Sequence, residues 1–329
     1  MDSITQAVLG IAIANVTLNK NTTLKKQIAL GIAFATIPDL DLFIAKFWSD
    51  PLTELEIHRS FSHSILFFIG LSFLGAGFLK KWFTYETFKT LWISIFCILI
   101  THSLLDIFTT WGTQILWPYP TKFAIKSIFV VDLFYTIPLA MGTYLGLKNK
   151  RRSFTFAGLF LSCCYLVWGV FVQNSVQNSL KEQFSKQNST KKMQITVKPT
   201  FSNSFLWNVL IQSDNGFYIG DYSVFDKKPI QTHYFSQNSH LIAHINDKNI
   251  NRLKKISSNQ YIITKNNKGL VFNDLRFGLL KNNHNNVQFA FSYQLIPSQN
   301  GYKVYEIKKN RKDGVQLLKN IWLRLVTPN

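Results

Sequence analysis

Hydrophobic and polar positions divide the chain into two unlike parts. Up to about residue 172, long apolar runs are separated by short polar or basic turns. Beyond it, short stretches alternate apolar with polar residues among many Asn, Lys, Ser and Gln. The first part holds six apolar segments, at residues 3–18, 27–47, 64–79, 90–108, 128–147 and 154–172. A helical span needs about 20 mostly apolar residues. The last four segments therefore read as spans, and the first two as weaker helices that cross or re-enter. Pro38 interrupts the second, because proline lacks the amide donor and clashes with the preceding turn.

In the second part, residues 193–197, 206–213, 217–222, 260–264 and 287–295 carry the alternation expected of half-buried strands. Asp214-Asn215-Gly216, between two of them, is a hairpin turn signal. The pattern predicts an α-helical membrane domain of about six membrane-associated helices over residues 1–172. A polar linker follows at 173–192, then a small, mainly antiparallel β domain outside the membrane at 193–329.

Charge adds an orientation. The net charge of +19 is uneven. Up to Leu180 there are 14 Lys/Arg against 9 Asp/Glu, and from Lys181 onward 22 against 8. Scattered over an Asn-rich half, the positive charge reads as a solvated surface, so no nucleic-acid partner is expected. The basic turns at residues 20–26, 80–81 and 148–152 face the cytoplasm by the positive-inside rule. Tracing six segments through them brings the polar clusters described next, and the β domain, to the outer side of the membrane. Asp2 directly after Met1 does not fit the basic start of a cleavable signal peptide. Cys97, Cys163 and Cys164 lie in apolar segments without a paired spacing, so neither a disulfide framework nor a thiolate metal site is supported.

Three clusters interrupt the apolar runs: Pro38-Asp39-Leu40-Asp41, His58-Arg59-Ser60-Phe61-Ser62-His63 and Thr101-His102-Ser103-Leu104-Leu105-Asp106. Ionisable residues in membrane segments are costly and mark function by default. His102 and Asp106, four apart, share one helix face; both bind a metal, or Asp106 orients His102, or the two form a buried pair that holds helices together. Asp39 and Asp41 follow a proline at a helix end and suit one shared metal or a bridged pair. The alternative is a solvated turn. His58 and His63 flank Arg59 beside a helix start, with Ser60 or Ser62 as the cap, and point to an anion or metal site. Imidazole and carboxylate donors without thiolate suit zinc, manganese or iron. The candidate metal ligands are Asp39, Asp41, His58, His63, His102 and Asp106. Arg59 is the candidate phosphate-holding group, and Asp2 or Asp39 the candidate proton acceptor. Asp2 and Gln6, four apart on the first helix, are placed to complete the shell, and Thr109, Thr110 and Gln114 to bind substrate. Asp132 either pairs with Lys126 or serves the site. His233, His240 and His244 read as solvated, and Trp111, Trp117 and Tyr119 as an interfacial belt.

The run from Asp2 to Gly10, the three clusters, Thr109-Thr110-Trp111-Gly112-Thr113-Gln114 and the stretch from Ile128 to Asp132 together resemble the YdjM-like family of bacterial inner-membrane proteins. That family is usually described as membrane-bound metal-dependent hydrolases. It is thought to be related to the zinc-dependent phospholipases C and related helical nucleases. The resemblance covers residues 1–147 well and the last span and outer domain loosely. It implies phosphoester hydrolysis by metal-activated water, on a substrate such as a phospholipid or lipid-linked phosphate, with membrane lipids as the partners. Many members carry His where this chain has Gln6, and an amide is a poorer metal ligand. The alternative is a non-enzymatic membrane protein with a structural ion or ligand site and a β domain that binds an envelope partner. A transporter is weaker, because its site belongs near the midplane and these clusters share one face.

Overall fold

The computed structural model describes residues 1–45, 50–187, 194–281, 287–299, 301–308, 321–325 and 327. It divides into two compact units: Met1–Phe47 with Ile57–Phe171, and Trp48–Glu56 with Val172–Asn329.

The first unit is helical. Helix α1 (Ser3–Thr17) is capped by Asp2, whose carboxylate accepts the Thr5 N–H. Helix α2 (Leu24–Thr36) ends at the predicted proline: Pro38 opens a single 3-10 turn, Pro38–Leu40, and α3 (Asp41–Ala45) leaves at 44° to α2. After α4 (Pro51–Ile57) come a second 3-10 turn, Phe61–His63, and α5 (Ile65–Leu79). The cap of α5 is Ser64, whose hydroxyl accepts the Phe67 N–H, and not Ser60 or Ser62. The 3-10 turn moves the cap two residues beyond Ser62, the later of the serines singled out in the sequence. Helices α6 (Phe88–Ile107), α7 (Leu133–Lys148) and α8 (Arg152–Gln187) complete the helical run.

Two described helices, α6 and α8, are long and apolar enough to cross a membrane alone, and up to four spans result if each bent pair counts as one. Apolar residues such as Leu66, Phe73, Leu74, Phe78, Phe160 and Val167 point outward, as on helices whose surroundings are apolar. Inside, α6 turns Leu91, Ile95, Ile98, Leu99, His102 and Asp106 toward its neighbours, a three-to-four-residue repeat that continues the core face directly into the polar cluster. Leu18, Leu30, Phe34, Phe68, Ala76 and Ile95 fill one core. Leu9, Ala12, Leu105, Ile128, Tyr135 and Leu139 fill another.

Close helix contact depends on two glycine pairs, the small-residue crossing common in membranes. A Cβ on Gly31 of α2 would stand 2.5 Å from the Ile11 nitrogen of α1, and one on Gly142 of α7 would stand 2.6 Å from the Gly158 Cα of α8. Beyond the apolar stretch α8 continues as helix through residues 173–187, where the sequence suggested a linker; residues 188–192 lie outside the described set. Val172, Val176, Leu180 and Phe184 keep a buried stripe, which the polar composition hides.

Among its described residues the second unit holds eight strands in two antiparallel meanders, β1 to β4 and β5 to β8 in sequence order. The first comprises β1 (Gln194–Pro199), β2 (Leu206–Gln212), β3 (Gly216–Ser223) and β4 (Thr232–Ser236). The second comprises β5 (Tyr261–Asn266), β6 (Gly269–Lys281), β7 (Val287–Ser298) and β8 (Gly301–Glu306). Asp214-Asn215-Gly216 makes the β2–β3 turn, closed by Gln212 opposite Phe217. Each meander follows a helix: the end of α8 for the first, α9 (Lys248–Ile256) for the second.

Alternation along the strands builds the layers. Trp207, Val209 and Ile211 pack on α8, while Leu210, Phe217 and Ile219 meet Ile262, Leu275 and Phe289 of the other meander. Strand β2 is thus covered on both faces, which accounts for the apolar residues on both sides of it around the buried Asn208. Ile263 and Phe272 pack with Ile250 and Leu253 of α9. Strands β4, β6 and β8 and helix α9 were not foreseen. The β-bulge between Asp274 and Leu279 breaks the period of β6, and α9 has only nine residues.

One stretch changes sides relative to the sequence reading. Residues 50–56, which fall within the expected membrane domain of residues 1–172, belong to the second unit. Leu52 is fully buried with Ile242, Ile250 and Leu253. Arg252 of α9 grips the same stretch, through Nε and Nη2 to the Glu56 carboxylate at 3.0 and 2.8 Å, Nη1 to Asp50 at 2.5 Å and Nη2 to the Thr53 hydroxyl at 3.0 Å.

Gly31→Leu is expected to separate α1 from α2 and cost about 1–3 kcal/mol or more, read as a lower unfolding temperature in detergent. An unchanged midpoint would show that the helices do not approach this closely. Burial raises the pKa of Asp50, but the Arg252 hydrogen bond, the Thr53 hydroxyl and the Leu52 N–H outweigh it and hold the carboxyl below its ordinary value of 3.8. A depressed folded-state pKa contributes stability that is present above the unfolded value and is lost as pH falls through the folded one. The stability deficit of Asp50→Asn should therefore be full near neutral pH and shrink on acidification below about pH 4. A deficit independent of pH would sink this assignment.

Candidate metal centre

Three chain reversals bring the donors together. Asp39 sits on the 3-10 turn after α2, His63 ends the turn before α5, and His102 and Asp106 occupy the last turns of α6. One donor atom from each of the four lies within 4.8 Å of every other. The two imidazole Nε2 atoms are 3.3 Å apart. Asp39 Oδ1 is 3.4 Å from His63 Nε2 and 3.6 Å from His102 Nε2. Asp106 Oδ2 is 3.6 and 3.7 Å from the same atoms. Four donors about 2.0–2.1 Å from a zinc-like ion in a tetrahedron stand about 3.3–3.4 Å apart. The five edges between these atoms come close to that figure, and the sixth, Asp39 to Asp106, stays within 4.8 Å.

The chemistry of the donors fits a cation as well as their spacing does. Asp106 Oδ2 is buried and receives no hydrogen bond. A buried carboxylate oxygen left so is costly, and this one faces two imidazoles. Each imidazole is tied on its far side, which leaves Nε2 free to ligate. His102 Nδ1 lies 2.7 Å from the Ala35 carbonyl oxygen, to which it donates. His63 Nδ1 lies 2.9 Å from the Ser62 hydroxyl, which in turn donates to Asp41 Oδ2 at 2.7 Å. His63, His102 and Asp106 are sealed from solvent, while the Asp39 side chain is 21% exposed and marks the open side.

The other two predicted ligands stand beside the cluster. Asp41 accepts from Ser62, from the Arg59 N–H at 3.0 Å and, on its other oxygen, pairs with His58 Nδ1 at 3.0 Å. Its oxygens are thus engaged, and it orients His63 through Ser62. His58 packs edge-on against Trp111 and lies outside the four-donor group.

Arg59 reaches the cluster from a strained backbone, with φ of 60°. Its Nη1 donates to the Thr109 hydroxyl at 2.8 Å. Its Nε is 3.1 Å from Asp106 Oδ2, close enough for an ion pair but not aligned as a hydrogen bond.

Asp2 is engaged at the start of α1, where Thr5 donates to it through both N–H and hydroxyl. Gln6 is closer in: its Nε2 donates to Asp106 Oδ1 at 3.1 Å, and the Met1 amino group meets the same oxygen. Gln114 donates to the Pro120 carbonyl, so with Thr109 it supports the loop around Arg59. Asp132 caps α7 through the Phe134 N–H and accepts the Tyr165 hydroxyl. Among the described residues no second group of this kind occurs, and His233, His240 and His244 take no part in this one. The Ala35 carbonyl is a functional group that no side-chain pattern reveals.

Residues 1–176 match the model of the family described as YdjM inner membrane protein. The chain belongs to this family. The matched residues contain the whole four-donor cluster, and the membership supports an inner-membrane location. A Bacillus subtilis protein described as uncharacterized protein YfhP is 24% identical over 227 residues, 67% of this chain and 68% of YfhP. Inner membrane protein YbcI of Escherichia coli is 32% identical over 90 residues, 27% of this chain and 51% of YbcI, so the chain spans about half of that relative. No solved structure matches.

His63→Ala and His102→Ala should each bring bound divalent metal in the purified protein to background by elemental analysis. Ser62→Ala should keep the stoichiometry but weaken affinity by about 10–100-fold in chelator competition, since it removes the group that orients His63. Unaltered metal content in both histidine variants would refute the site.

Proposed function

We propose that the chain is a multi-pass inner-membrane hydrolase that uses a divalent cation, zinc by donor type, to cleave a phosphoester such as a phospholipid or lipid-linked phosphate. The observation that carries the proposal is Arg59 Nε standing 3.1 Å from the unpartnered oxygen of Asp106. The carboxylates of Asp39 and Asp106 balance a divalent cation, and Asp41 is engaged by His58, Ser62 and the Arg59 N–H. The Arg59 guanidinium then adds positive charge beside the cluster, which favours an anionic substrate. A cation held there supplies a Lewis acid and lowers the pKa of water. Asp39, the exposed member, is the residue of the group best placed to take a proton from an incoming water. Six membrane-associated segments, with the cluster and the β unit on the outer side, complete the reading, as the basic turns favour. Leu40, Phe43 and Phe61, all exposed near the site in sequence, suit a substrate with apolar chains.

A second reading, a structural ion site, is favoured by the full set of four protein donors, since structural zinc sites are closed by four ligands whereas catalytic ones keep a position open. Hydrolysis separates the two. Metal-loaded protein in vesicles should release phosphate or a phosphorylated headgroup from a phospholipid or polyprenyl phosphate, and lose that activity with chelator. Arg59→Lys, which keeps charge but not the planar fork, should lower turnover by about 10²–10³ with metal retained. Bound metal with no turnover of any phosphoester tested would leave the structural ion.

A further inference from the structure

Gln6 is 1% exposed, and its amide is committed in one direction. Nε2 donates both to Asp106 Oδ1 at 3.1 Å and to the His102 carbonyl oxygen at 3.2 Å. Turning the amide over would set Oε1 against two acceptors, so the orientation is fixed by the network. No protein group donates to Oε1, although it is buried. An apolar side chain of the same volume would avoid the cost of a buried unpaired polar atom. What the amide contributes is its two N–H donors, and both go to the residues that end α6.

Those donors divide Asp106 into two unlike oxygens. Oδ1 is loaded by Gln6 and the Met1 amino group, whereas Oδ2 takes no hydrogen bond and faces the two imidazoles. A carboxylate oxygen with its lone pairs already engaged is a poor ligand, so the loaded side is withheld. We infer that Gln6 is a positioning residue that makes Asp106 a one-oxygen ligand through Oδ2. Without it, Oδ1 keeps only the Met1 amino group and has a lone pair open to chelate, so the donor set changes in number. The inference rests on the reading of the cluster as a metal centre, and it concerns Gln6 as a donor rather than as a ligand.

The test uses full-length protein in detergent, stripped of metal and titrated with Co²⁺, whose visible spectrum reports coordination number. Wild type should show the intense bands of four-coordinate cobalt. Gln6→Met, similar in length and volume but without donors, should bind about 10–100-fold more weakly. Its bands should be weaker and shifted, as for higher coordination. A merely structural role would change the unfolding temperature of the metal-free protein and leave the cobalt spectrum as it was. Gln6→Leu also lacks the N–H donors and adds no charge and no ligand atom. It should show the same spectral change with a similar loss of affinity, and it serves if the Met variant fails to fold. Wild-type spectrum and affinity in whichever of these variants folds would overturn the role of Gln6 alone. No cobalt binding by wild type would overturn the metal centre itself, and this inference with it.

Discussion

Two imidazoles lie with their Nε2 atoms 3.3 Å apart between two carboxylates, inside helices that are apolar on every other face. Such a group is affordable only if every polar atom not aimed inward has a partner behind it. That requirement shapes the surrounding helices. His102 needs the Ala35 carbonyl at the end of α2; His63 needs Ser62 and, through it, Asp41; Asp106 needs Gln6 on α1. The Ala35 carbonyl is available because α2 frees its last backbone groups where Pro38 stops the helix. The Gly10–Gly31 approach of α1 to α2 is part of the same packing, since a Cβ on Gly10 would also strike Ala35.

Strain concentrates where the requirement is hardest to meet. Arg59, a long branched cation, sits at φ 60°, a region that non-glycine residues avoid. Its backbone N–H is held by Asp41, its carbonyl by the Gln114 N–H and its guanidinium by Thr109. Three anchors on one residue are what a disfavoured conformation needs in order to persist, and such residues cluster at sites of recognition and catalysis. Asp41 serves both this anchor and His63, so one carboxylate fixes the two groups of highest chemical interest.

Much of this was legible in the sequence, and what was hidden was hidden for physical reasons. His102 and Asp106 announced a shared face by their spacing, and the cost of charge in an apolar run marked all three clusters. The distinction between Asp39 and Asp41 was not readable. Two acids two residues apart look alike until the 3-10 turn after Pro38 sends one into the cluster and the other to Ser62 and His58. Ser64, not Ser60 or Ser62, caps α5 because the 3-10 turn comes between. The end of α8 passed for a linker because its buried Val176, Leu180 and Phe184 are outnumbered by Asn, Gln, Ser and Lys. Strand β2, by contrast, was found because apolar residues alternate with polar ones closely enough over 206–213 and the Asp214-Asn215-Gly216 turn marks its end.

The family match covers residues 1–176, and the cluster lies wholly within it. The eight strands lie beyond it. The chain nevertheless alternates between the two units: Asp41 and His58, which meet at 3.0 Å, belong to the first, while residues 50–56, between them in sequence, belong to the β-rich second. Leu52 is buried in that unit's core, and Asp50, Thr53 and Glu56 are held by Arg252 of α9. The acids of this stretch, close in sequence to Asp39 and Asp41, therefore answer to a different demand: Asp50 and Glu56 pair with Arg252, and neither is among the four donors. Nearness in sequence to a site does not make a carboxylate part of it; the partner that each acid meets decides its use.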